Sequence, residues 1–189
     1  MRLFVALELS DEARAVMRRR LGKLRSALPR SRWVDPDQAH LTLLFLGNTE
    51  PQLLPRLDAE LAAAFASHAP FAIRLHGGGT FPHGRPAHVA WVGVKAPPEL
   101  AALQRSVVLA CQAATGVDPE GRPYHAHVTL TRPNPPWRRQ VVERFLQEVQ
   151  GSWGEELVVR QGVLLESRLS PRGAQYLPQA RFPLSEVGA

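Results

Sequence analysis

The chain has 189 residues, with 44% hydrophobic and 21% charged, a balance that excludes a disordered chain and fits one domain or two small lobes sharing a core. Its charge is 23 basic against 17 acidic residues, or +6, and all the basic residues except Lys23 and Lys95 are arginine, whose planar donor fork suits phosphate. Cys111 is the only cysteine, which excludes a disulfide framework and a cysteine-built zinc site. Glu8, Asp11 and Glu12 come too early for a signal peptide, and no run approaches the roughly 20 apolar residues of a membrane helix, so a cytoplasmic protein is expected.

Residues 2–9 suit a buried strand with Leu3, Val5, Leu7 and Leu9 on one face. Ser10 is a candidate N-cap, with Asp11 and Glu12 facing the positive end of a helix that carries Ala13, Met17, Leu21, Leu24 and Leu28 and stops at Pro29. A strand is predicted over 40–46, then a helix over 51–66 burying Leu54, Leu57, Leu61 and Phe65. Strands at 71–76 and 88–94 flank GGGTFPHGRP, which reads as a loop.

The second half keeps this order. Pro97 and Pro98 open a helix closed by Gly116, with Leu100, Leu103, Val107, Cys111 and Ala114 on one face. On that face Cys111 reads as a small core residue, not a nucleophile. The loop VDPEGRPYHA leads into a strand over 127–132. A helix carrying Trp137, Val141, Phe145 and Val149 ends at Gly151, and strands at about 156–166 and 174–182 close the chain.

The informative feature is a repeat. His40-Leu41-Thr42-Leu43 recurs as His127-Val128-Thr129-Leu130, 87 residues later. The same shift carries segment 11–27 onto 98–114, 51–66 onto 138–153, 71–76 onto 158–163 and 88–94 onto 175–181, which points to a duplicated unit. Strand 88–94 also resembles 4–10, so the two copies interlock with no clean linker.

Copies paired across a pseudo-twofold axis place equivalent residues face to face. His and Thr two apart on a strand leave the same face. Two imidazoles and two hydroxyls then share a cleft. Imidazole titrates near neutrality, and repulsion between two imidazoliums favours one neutral and one protonated ring. That pair can take a proton from a nucleophile and give one to a leaving oxygen. The hydroxyls can donate to non-bridging phosphate oxygens as charge grows on them. The chemistry is metal-free phosphoester cleavage. A zinc site from His40, His125 and His127 is the weaker reading, because no carboxylate accompanies the motif and residue 38 holds no histidine.

HLTLLFLG and HVTLTR, with the opening FVALEL, the segment RWVDPDQAHLTL and the tail LLESRLSPRGAQYLPQARFPL, resemble the 2H phosphoesterase superfamily, and within it the RNA 2′,3′-cyclic phosphodiesterases, also called 2′-5′ RNA ligases. The resemblance implies an α+β fold: one domain over 1–189, built as two interlocked, pseudo-twofold-related lobes, each with an antiparallel sheet and helices, around a central basic cleft between the sheets. It implies hydrolysis of a terminal RNA 2′,3′-cyclic phosphate to a 2′-phosphate, without cofactor or metal, and the reverse 2′-5′ ligation. His40 would be the proton donor to O3′ and His127 the acceptor that activates water. Thr42 and Thr129 would hold phosphate oxygens. Arg132 matches an arginine placed at the phosphate, although its alternation sets it opposite His127, so a strand end or bend must return it. Tyr124 and Trp33, in loops before the motifs, are candidates to stack a terminal base. Phe45 is a third stacking candidate, but it alternates away from His40, so core burial is the stronger reading for it. Arg85 and Arg122 are candidates for steering RNA. The expected partners are RNA ends, tRNA fragments among them, with no membrane and a monomeric chain. The rival class is a non-catalytic module that clamps an RNA end.

Overall fold

A computed structural model describes residues 1–83, 86–116, 123–170 and 173–185; the candidate steering residues Arg85 and Arg122 lie outside them. The elements run β1 (Arg2–Glu8), α1 (Asp11–Ala27), β2 (His40–Asn48), α2 (Leu54–Ala66), β3 (Phe71–Phe81), β4 (Val89–Lys95), α3 (Pro98–Thr115), β5 (His127–Thr131), α4 (Arg139–Glu148), β6 (Leu157–Val159), β7 (Gln161–Ser170) and β8 (Gly173–Pro183). The fold is α+β.

The helix signals read from the sequence act as expected. Ser10 accepts a hydrogen bond from the Ala13 amide at 3.3 Å, occupying one of the unpaired donors at the start of α1. Gly116 ends α3 with φ +70°, a left-handed turn that glycine adopts without a Cβ penalty. α1 and α3 stand one repeat interval apart, at Asp11–Ala27 and Pro98–Thr115.

Two elements depart from the sequence reading. The three glycines expected in a loop belong to β3, which continues to Phe81. Gly77 sits at φ +63° where the β3–β4 register shifts, and a Cβ on Gly79 would collide with the Trp91 indole. These glycines admit a bulge and a large ring, which composition alone presents as a loop. The strand expected at 156–166 is two strands on opposite parts of the sheet: β6 pairs with β3, and β7 pairs with β1 and β8.

The larger correction concerns the sheets. Instead of two sheets flanking a cleft, the strands form one antiparallel sheet in the order β6-β3-β4-β5-β2-β1-β7-β8. β2 and β5 meet at one ladder position, Leu41 opposite Val128. Both side chains are fully buried in the main core with Leu3, Val5, Leu7 and Val92 and with the apolar stripes of α1, α2 and α3. The other sheet face carries a smaller cluster of Phe4, Ala6, Val163 and Leu165. Cys111 is buried in the main core, where desolvation pushes its thiol up to about 12 and leaves it no nucleophilic role. Among the described residues, no helix is long and apolar enough to cross a membrane.

Packing on the helix side is close enough to test. Phe65 is fully buried, stacks on Phe182 at 5.6 Å, and lies over Gly162 so that an added methyl would overlap its ring. Gly162→Ala should therefore cost about 1–3 kcal/mol of overpacking, read as a lower urea midpoint with an unchanged slope. An unaltered midpoint would contradict this contact.

Candidate active site

The seam register builds the site. With Leu41 opposite Val128 in an antiparallel pair, His40 falls across from Thr129 and Thr42 across from His127. The flanking strands confirm the rows. Glu8 pairs with His40 and Trp91 with Thr129, while Ala6 pairs with Thr42 and Gly93 with His127. Leu41 and Val128 point into the helix-side core, so all four motif residues share the opposite face. Each histidine thus stands across from the threonine of the other motif.

Both rings are held in the same way. His40 Nδ1 lies 2.8 Å from the Gln38 carbonyl, and His127 Nδ1 lies 2.8 Å from the His125 carbonyl. A carbonyl only accepts, so Nδ1–H must donate in each case, and Nε2 is left as the atom that gains or loses a proton. Aromatic rings fix the remaining freedom. His40 packs against Phe4 and Tyr176, each at 4.9 Å between centroids. His127 packs against Phe81 at 5.2 Å and Trp91 at 5.8 Å.

Both imidazoles are held below their ordinary titration range of about 6.5, chiefly by desolvation. The carbonyl at each Nδ1 opposes this by favouring the cation. For His40 the positive charges of Arg132 and then His127 lower it further; for His127 those of His125 and then Arg132 do so. Glu8, the carboxylate in the His40 row, is clamped by Arg181, with Nε at 3.0 Å and Nη2 at 3.1 Å. Its charge is largely spent on that pair.

Arg132 reaches this face through a bulge. Trp91 pairs with Thr129 and Ala90 with Thr131, which leaves Leu130 as the extra residue. Leu130 and Thr131 are both buried, so alternation restarts one step late and Arg132 returns to the histidine face. β2 does the same. Ala6 pairs with Thr42 and Val5 with Leu44, so Leu43 is the extra residue and Phe45 comes round beside Phe4. Phe45 is 64% exposed, which corrects its expected place in the core. The alternation argument failed at a residue that the apolar run HLTLLFL gives no reason to single out.

The two aromatic candidates in the loops are used elsewhere. Trp33 packs on the buried Trp137 at 5.7 Å against the helix-side core, and the structure does not bring its ring to the histidines. Tyr124 packs against the same core and donates its hydroxyl to the Thr42 carbonyl at 3.2 Å, tying the lead-in of β5 to β2. Burial pushes that hydroxyl's titration upward, so it stays a donor. Phe4, Phe81, Trp91 and Tyr176 were not singled out by the motif; aromatic character on predicted strands marks Phe4, Trp91 and Tyr176, whereas Phe81 falls in the segment that reads as a loop. No group of three His, Cys, Asp or Glu among the described residues is placed to hold a metal ion.

A family model described as the 2′-5′ RNA ligase superfamily matches residues 10–162. The chain belongs to that superfamily. It is 31% identical over 183 residues to a Methanothermobacter thermautotrophicus protein named RNA 2′,3′-cyclic phosphodiesterase, covering 97% of this chain and 98% of that one. A Geobacillus stearothermophilus protein of the same name is 36% identical over 129 residues, which span 68% of this chain and 41% of that longer one. A solved Thermus thermophilus structure superposes with a TM-score of 0.83 at 30% identity, covering 98% of this chain and all of the other.

The electrostatic account predicts that both imidazoles titrate below 6.5 in NMR. Removing the Arg132 charge with Arg132→Gln should move both midpoints upward together. Unmoved midpoints would separate Arg132 from the pair. A depressed native value means that the unfolded chain binds more protons as pH falls past 6.5. The two histidines therefore add stability at neutral pH that is lost on acidification through their folded values.

Proposed function

We propose that this member of the superfamily hydrolyses a terminal RNA 2′,3′-cyclic phosphate to a 2′-phosphate, with His40 and His127 as acid and base and no metal ion. The observation that carries the reading is the crossed quartet at the seam, with both Nε2 atoms free for proton transfer because both Nδ1 atoms are committed to carbonyls. The names of relatives that cover nearly the whole chain support the same activity.

In this reading, water attacks phosphorus as the neutral Nε2 of His127 takes its proton. The new P–O bond forms and the P–O3′ bond breaks, while protonated Nε2 of His40 gives its proton to O3′. Each ring leaves the cycle in the other's protonation state, and one proton returns through solvent. Thr42 and Thr129 donate to the non-bridging oxygens, and Arg132 offsets the charge that grows on them. Depressed imidazole values make a mixed protonation state most abundant on the acid side of neutrality in the free protein. A bound anionic phosphodiester favours the cationic ring and raises that range.

The same groups join two RNA ends when the hydroxyl of a second RNA takes the place of water at the cyclic phosphate, with O3′ leaving as before, and the reverse direction cleaves that 2′-5′ link. Water at about 55 M outcompetes that hydroxyl unless the two ends are held together, so hydrolysis dominates. We infer further that the two halves are pseudo-twofold repeats making one functional unit over 1–189. This is supported by the strand order, in which each histidine strand is inner and flanked by β1 or β4, and by equivalent bulges at Leu43 and Leu130, 87 residues apart. One chain carries all four motif residues, so a monomer suffices.

His40→Ala and His127→Ala should each lower kcat about 10²- to 10⁴-fold on a 2′,3′-cyclic nucleotide, and kcat/KM of the unaltered protein should be bell-shaped with a maximum below about pH 7. Activity surviving either substitution would refute two-histidine catalysis. A protein that binds the RNA end with a steep salt dependence and never turns it over would be a clamp instead.

A further inference from the structure

We propose that His125 is a positioning residue: its imidazolium, set beside His127 and lacking from the other copy of the motif, gives His127 the part of base and leaves His40 that of acid. This rests on the hydrolase reading above. The two motifs are otherwise matched. Each histidine is followed by threonine two residues on, and each Nδ1 is held at 2.8 Å by the carbonyl two residues earlier. A symmetric pair gives neither ring a reason to start neutral while the other starts charged. The residues that supply the two carbonyls are Gln38 and His125, one repeat interval of 87 residues apart. Their backbones act alike and their side chains do not. Gln38 carries a neutral amide, and His125 carries a further imidazole.

The geometry lets the charge of that imidazole act on one ring of the pair. The His125 ring lies 6.1 Å from the His127 ring and is seated on Trp91 at 4.7 Å and Phe81 at 5.8 Å. The same two aromatic rings touch His127, so a common floor holds both imidazoles at a set separation. The other influences do not choose between the histidines. Desolvation lowers both rings, each carbonyl opposes it, Arg132 lowers both, and the pair repel each other. His125 acts on His127 and not on His40. The remaining charges nearby are largely paired. Glu8 of β1 is clamped by Arg181 of β8, and Arg74 of β3 meets Glu156, with Lys95 of β4 opposite Arg74 in the ladder. His83, just after β3, meets the floor at Phe81, 5.5 Å away, and Trp91, 6.4 Å away. Imidazole carries its charge on the acid side of neutrality, which is the range in which His127 gives up its proton.

The test exchanges His125 for its counterpart. His125→Gln alters an exposed side chain, so the fold should persist, and a melting curve checks this. In NMR of the free protein the acid constant of His127 should weaken about 3- to 10-fold, the size of one screened charge at 6.1 Å, while His40 should not follow it upward. His125→Lys keeps a positive charge and should keep the His127 midpoint low. The kinetics follow the same sign. On the acid limb both rings are protonated and His127 must lose its proton, so kcat/KM for adenosine 2′,3′-cyclic phosphate should fall about 3- to 10-fold in His125→Gln. On the alkaline limb both rings are neutral and His40 must gain one, so kcat/KM there should stay within about 2-fold. An equal fall on both limbs would mark a merely structural part and overturn the proposal. So would an unmoved His127 midpoint in His125→Gln, or a rise of the same size in His125→Lys. Turnover by the unaltered protein separates the two claims. If it hydrolyses no cyclic phosphate at any pH, the hydrolase reading fails and the base assignment with it; if it is active and only the midpoint stays put, the part given to His125 fails alone.

Discussion

One backbone pairing, Leu41 opposite Val128, organises the histidine face of this protein. It is a short seam between two four-strand halves, and both of its side chains are sealed in the main core. Because alternation along a strand has a period of two, burying these residues turns the histidine and threonine on either side of each to the opposite face. A slip of one residue would send the imidazoles into the core. Helix packing therefore sets the register, and the register sets the geometry of the dyad. Tyr124 adds a side-chain tie across the same seam through the Thr42 carbonyl.

The surroundings then bias the two rings. Each Nδ1 is held by a carbonyl two residues earlier, so proton exchange is confined to Nε2 at both. Desolvation and the charge of Arg132 disfavour the doubly protonated state, and the carboxylate in the row, Glu8, is occupied by Arg181. An anion placed between the rings would favour protonation of one of them.

Much of this was legible in the sequence, because the cues were local. Ser10 as a cap, Gly116 as a helix stop and the 87-residue interval between motifs are all features of residue type and spacing. Strand pairing was not legible. Periodicity shows that His40 and Thr42 share a face, but it does not say that β5 is the neighbour or that the strands join one sheet. The bulges were hidden for a related reason. An extra residue in HLTLLFL or HVTLTR leaves an apolar run intact, yet it reverses the direction of everything after it. That is why simple alternation puts Phe45 in the core and turns Arg132 away from His127, whereas the bulges bring both to the histidine face. The glycines of β3 look like a loop for the same reason, since room for the Trp91 indole and a gap in a loop have the same composition.

Product analysis tests the central claim most directly. An oligonucleotide ending in a 2′,3′-cyclic phosphate, incubated with the purified protein in excess chelator, can be followed by phosphorus NMR. The account predicts complete conversion to the 2′-phosphate with the 3′-hydroxyl freed, at a rate unchanged by the chelator. A 3′-phosphate product, or activity that disappears with the chelator and returns with added metal ion, would contradict it.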